Sequence, residues 1–121
     1  MKRQMVATLA ILALLWMSIP AFAHAFLENA VPAVGSRSEK SPEQVRLRFT
    51  EKVEAGSSSV RVLDSQGARV DEGNARANPS DPAVLIVDLK PLAPGAYRVI
   101  WRAQTADGHV TEGDFTFEVA P

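Results

Sequence analysis

At 121 residues the chain has room for one small domain. A formal charge of −1, without a cluster of Lys or Arg, argues against a nucleic-acid binder. The absence of cysteine excludes disulfides, thiolate metal sites and Fe–S clusters, so packing alone must hold any core together.

The first element is a targeting segment. Lys2 and Arg3 give a short positive start, Val6 to Ile19 is apolar apart from Thr8 and Ser18, and Pro20 breaks the run before Ala21-Phe22-Ala23. This is the three-part layout of a secretory signal peptide, expected over residues 1–23, with a mature domain over 24–121. A membrane anchor is the alternative, but a spanning helix needs roughly 20 apolar residues and this run is shorter. Cleavage after Ala23 leaves His24 at the new N-terminus; a second small-residue site, Ala23-His24-Ala25, would discard it. Removal of the segment takes Lys2 and Arg3, shifts the formal charge from −1 to −3, and carries away Met1, Met5 and Met17, the only methionines. The mature chain then has neither Met nor Cys and no membrane span of its own.

Beyond residue 24 the pattern is one of short strands. In "QVRLRF", Val45, Leu47 and Phe49 face one way and Arg46 and Arg48 the other. "SVRVLD" alternates through Val60 and Val62, while "AVLIVDL" is a denser apolar run expected of a more buried strand. "YRVIWRA" places Tyr97, Val99, Trp101 and Ala103 on one face, and "DFTFEV" places Phe115, Phe117 and Val119 inward. Repeated alternation with period two indicates half-buried strands. Turn-forming residues at 32–35, 64–67, 78–82 and 94–95 separate them, and Pro94-Gly95 fits a type II turn. The segment 71–82, "DEGNARANPSDP", reads as a loose polar linker.

About seven short strands without a helix point to an all-β fold, an immunoglobulin-like antiparallel β-sandwich with Greek-key connections; an antiparallel barrel is the alternative. Tyr97 follows a turn at the start of its strand, the placement of a tyrosine corner, and Trp101 lies on the same face to fill the space between sheets.

The chemistry concentrates in the two histidines. In "TADGHV" an extended conformation puts Asp107 and His109 on one side, with Gly108 between them. Alone that is half a metal site, and Asp-Gly is equally a turn dipeptide. His24 adds the other half. As a mature N-terminus it offers its α-amine and imidazole Nδ1 to one metal, and both groups shed their protons readily near neutral pH. Three nitrogens and one oxygen from His24, His109 and Asp107 favour Cu(2+), with zinc second.

"HAFLENAVPAVGS", "VRLRFTEKVE", "LAPGAYRVIWRAQTADGH" and "EGDFTFEV" together resemble the CopC family of periplasmic copper-binding proteins across essentially the whole mature chain. The resemblance implies an immunoglobulin-like sandwich and Cu(II) held by His24 through amine and ring, completed by Asp107 and His109. Glu51 matches an acidic residue near the family's site; it is held as an outer or weak axial neighbour, an ordinary solvated strand-end Glu being the alternative. Some family members carry a Met-rich loop with a separate Cu(I) site. Residues 64–82 contain neither Met nor His, so the chain resembles the members with a Cu(II) site only.

The expected function is that of a periplasmic, monomeric, non-enzymatic copper carrier or sequestering protein in copper homeostasis or resistance. The family implies hand-over to a CopD-type inner-membrane protein. Two alternatives stand beside it. One is a copper-dependent oxidative enzyme resembling the polysaccharide monooxygenases, which also use an N-terminal His. The other is a metal-free immunoglobulin-like structural module.

Overall fold

A computed structural model describes residues 25–121. The signal segment expected over 1–23, and His24, lie outside the described residues.

Eight strands and one short 3-10 turn, Ala55–Ser57, make up the domain. In chain order they are β1 Leu27–Val31, β2 Arg37–Ser38, β3 Gln44–Phe49, β4 Ser59–Leu63, β5 Arg76–Asn78, β6 Asp81–Asp88, β7 Gly95–Gln104 and β8 Val110–Val119. They form two four-stranded sheets with orders β1-β3-β6-β5 and β2-β8-β7-β4. Only β5–β6 and β7–β8 are neighbours both in sequence and in a sheet, so the other connections cross between sheets as in a Greek key. The expected immunoglobulin-like sandwich is the fold. One pairing departs from the antiparallel rule: the two-residue β2 runs parallel to the end of β8.

The alternation in the sequence translates directly into the core. Val45, Leu47 and Phe49 of β3 meet Val60 and Val62 of β4, Val99 and Trp101 of β7, and Phe115 and Phe117 of β8 between the sheets. Phe49 meets Trp101 edge to face, with ring centroids 5.2 Å apart and planes at 69°. Tyr97 stacks on Phe117 at 5.5 Å. Strand β6 lies between β3 and β5, and Val84, Leu85, Ile86 and Val87 are all buried. Leu85 and Val87 belong to the inter-sheet core. Val84 and Ile86 pair with Arg48 and Arg46, so they share the outer face with those side chains, whose long stems can cover apolar surface.

The Tyr97 hydroxyl donates to the carbonyl of Ala93, closing the expected tyrosine corner. The turn before it differs from expectation. Gly95 has φ of +150°, far from the value near +80° of a type II turn, because it already pairs with Val119 as the first residue of β7. A second glycine is fixed by packing instead of by φ. Gly113 pairs with Trp101, and a Cβ there would lie 2.6 Å from Trp101 Cζ2.

The segment 71–82 is not a loose linker. Asp71 is 4 % exposed. It accepts hydrogen bonds from the backbone N–H of Val62 at 2.8 Å and of Gly73 at 3.0 Å, and from Arg69 Nε at 2.9 Å. Just before it, Val70 N–H donates to the Val62 carbonyl, so Val70 and Asp71 together cover part of the outer edge of β4. Asn74 and Arg76 grip the Asp88 carboxylate at 2.8 and 3.1 Å, and β5 pairs with β6. The polar residues read as linker are therefore the partners of backbone groups and charges at two sheet edges.

Two predictions follow from this packing. Gly113→Ala forces the added methyl into the indole of Trp101 and should destabilise the domain by about 1–3 kcal/mol in urea unfolding; an unchanged midpoint would mean that Trp101 can move aside. At Asp71, burial pushes the carboxyl up, but the Arg69 hydrogen bond and charge and the Val62 and Gly73 N–H groups outweigh it, leaving the group below its ordinary range. A carboxyl lowered by folding contributes stability above its unfolded pKa and loses it as pH falls through the folded one. Asp71→Asn should therefore cost about 2 kcal/mol at pH 7. The difference from wild type should shrink progressively below about pH 4; a pH-independent difference would show that the charge of Asp71 contributes nothing.

Candidate metal centre

The hairpin between β7 and β8 turns at Thr105–His109. Thr105 N–H donates to the His109 carbonyl at 2.9 Å, and Gly108 N–H donates to the Thr105 carbonyl at 3.0 Å. These bonds define a three-residue loop, a tight turn over Ala106-Asp107 followed by a glycine bulge, with Gly108 at φ +88°. Asp107 and His109 do come together, but not by lying along one extended strand as the sequence pattern implied. Two long paired strands must reverse within three residues, and Gly108 supplies the left-handed step that returns His109 toward Asp107.

Asp107 Oδ2 lies 2.9 Å from His109 Nδ1. Thr105 is 6 % exposed, and its hydroxyl donates to Asp107 Oδ1, with the His109 carbonyl 3.3 Å away. Hydrogen bonding from Thr105 holds the Asp107 carboxyl below the ordinary carboxylate range, aided by His109 and opposed by partial desolvation. The carboxylate is thus ionised at neutral pH and can only accept hydrogen bonds. Because the carboxylate can only accept, His109 Nδ1 is the donor in this pairing. One imidazole and one carboxylate at an exposed loop tip form a nitrogen–oxygen donor pair for a divalent metal.

The start of the described chain is tied to the same end of the sandwich. The Ala25 carbonyl accepts a hydrogen bond from Thr111 Oγ1 at 2.6 Å, and Ala25 is fully buried. Phe26 N–H donates to Thr50 Oγ1 at 3.0 Å, and Thr50 N–H returns a bond to the Phe26 carbonyl at 2.9 Å. Thr111 stands two residues beyond His109 and pairs with Ala103. Thr50 stands next to Glu51, which shares a shallow depression with Lys52, Thr105, Ala106 and Asp107. Glu51 therefore flanks the site on its Asp107 side. Among the described residues no group of three or more Asp, Glu, His or Cys side chains converges as a complete metal cage.

Three threonines that sequence reasoning did not single out shape this end. Thr105 holds Asp107, and Thr111 and Thr50 anchor the chain on either side of Ala25-Phe26. A threonine two residues before Asp-Gly at a hairpin tip was a readable signal for the first. The other two act on backbone far away in sequence, which no local pattern reveals.

Comparison with known proteins agrees with this architecture. The CopC domain profile matches residues 27–120. The solved structure of CopC from Methylosinus trichosporium OB3b superposes with a TM-score of 0.76 at 41 % identity, covering 81 % of this chain and 95 % of that one. Protein YobA of Escherichia coli K12 is 35 % identical over 112 residues, 92 % of this chain and 90 % of its own length. The copper transport protein CutJ of Bacillus subtilis is 32 % identical over 120 residues, 98 % of this chain; the chain spans only 22 % of that protein's length. With a family match over nearly all the described residues and a shared sandwich, the chain belongs to the CopC family.

Proposed function

We propose that this protein is a periplasmic Cu(II) carrier or sequestering protein, with copper as its cargo, bound by His24 through amine and imidazole and by Asp107 and His109. The observation that carries the reading is the tether at Ala25. Residue 24 immediately precedes Ala25 in the chain, and the Ala25 carbonyl is held by Thr111. Thr111 is two residues from His109, and this short connection supports His24 as a partner of the Asp107–His109 pair.

Residues 25–121 contain no Met or Cys, which leaves no soft-ligand site for Cu(I) and favours the Cu(II)-only type. The signal layout of residues 1–23 supports export to the periplasm of a domain spanning residues 24–121. No helix among the described residues is long and apolar enough to cross a membrane. Hand-over to a CopD-type membrane protein is supported by the CutJ match, in which a segment like this chain is part of a larger protein named for copper transport. A carrier is favoured over an oxidative enzyme. The solvent face of β7 and β8 carries Arg98–Asp114 and Arg102–Glu112 ion pairs at 2.8 and 3.5 Å, not a row of aromatic rings for a flat sugar surface.

Competition against a Cu(II) chelator tests the proposal on protein whose intact mass confirms His24 as the first residue. Wild type should retain copper, and occupancy should quench Trp101, the only tryptophan after residue 16. A short N-terminal extension, which removes the free amine, should abolish tight binding; retention by the extended protein would refute the ligand set. Asp107→Ala and His109→Ala should each weaken binding by at least the roughly 10–100-fold that loss of a supporting partner costs a metal site. Their melting curves should stay close to wild type, because both side chains are solvent-accessible. Loss of folding in either would assign them a structural role instead.

A further inference from the structure

We propose that Thr105 is a positioning residue of this site: its hydroxyl holds Oδ1 of Asp107 and so fixes the carboxylate against His109. The inference rests on the copper reading above and goes beyond it by assigning the residue that holds the carboxylate in place. Asp107 stands at a loop tip with its side chain 61 % exposed. Unaided, such a carboxylate samples several rotamers, and binding a metal would then cost the entropy of fixing it. Thr105 removes that freedom. It is buried, and its β-branched side chain has few χ1 choices. Its backbone is locked at both ends by the Thr105 N–H to His109 carbonyl bond and the Gly108 N–H to Thr105 carbonyl bond.

The hydroxyl then donates to Oδ1, while Oδ2 points to His109 Nδ1 at 2.9 Å. One side chain therefore fixes the carboxylate, and the same residue's main chain fixes the backbone of His109. Preorganisation of both ligands by one buried group lowers the ordering cost of binding.

Chelator competition and Cu(II) EPR on wild type, Thr105→Val and Thr105→Ser, each beginning at His24, test the proposal. Valine keeps the shape and cannot donate, so affinity should fall about 10–100-fold and the EPR parameters should move. Serine keeps the hydroxyl and should stay near wild type in both. In an Asp107→Ala background Thr105→Val should cost nothing further, since the interaction it serves is already gone. If Thr105→Val does not fold, Thr105→Ser against Thr105→Ala makes the same comparison of hydroxyl present and absent. Wild-type affinity and an unmoved spectrum in the hydroxyl-free variant would overturn the inference, as would an equal loss in the Asp107→Ala background. Failure of wild type itself to retain copper would overturn the copper reading, and this inference with it.

Discussion

The unbroken register of the β7–β8 hairpin is the constraint on which the other features rest. Its pairs run from Gly95–Val119 to Gln104–Val110 without a bulge. With no disulfide available, this long two-stranded element sets what faces the core and what stands at its tip. A slip of one residue would turn Tyr97, Val99, Trp101 and Ala103 toward solvent, so burial of that face fixes the pairing. The same pairing places Trp101 over Gly113 and closes the chain through the Thr105–His109 loop. Core packing and candidate metal site are thus two readouts of one alignment.

Much of the fold was legible because it follows period-two patterns. The inward faces of β3, β4, β7 and β8, the dense burial of β6 and the tyrosine corner can all be read from residues spaced two apart around turns. The segment from Asp71 to Pro82 could not be read that way. Its order comes from Asp71 serving the β4 edge and from Asn74 and Arg76 serving Asp88, and those partners lie in other strands. Polar composition looks the same whether side chains face water or satisfy a sheet edge. The short parallel β2 escaped for a similar reason, since two residues carry no periodicity.

The candidate site was legible in residue type more than in geometry. Asp107 and His109 were identifiable from their spacing, yet they meet across a glycine bulge and not along a strand. Thr105 offered a signal in its place two residues before Asp-Gly, but its role shows only once its hydroxyl is seen to reach the carboxylate. Glu51 was traceable only through family resemblance, and it flanks the depression beside Asp107 without completing a cage. What ties these pieces to the chain start is a set of threonine-to-backbone bonds, each spanning a sequence separation beyond the reach of any local motif.

The same hairpin also sets the polarity of the domain. Strand β8 begins beside His109 and runs to Val119, where it pairs with Gly95 at the opposite end of the sandwich. At 3.2–3.4 Å per residue that is about 30 Å of travel. Anything joined after Pro121, a flexible leash, a surface or a larger polypeptide, would hang from the end remote from the loop tip. The loop tip that carries Asp107 and His109 would remain unobstructed.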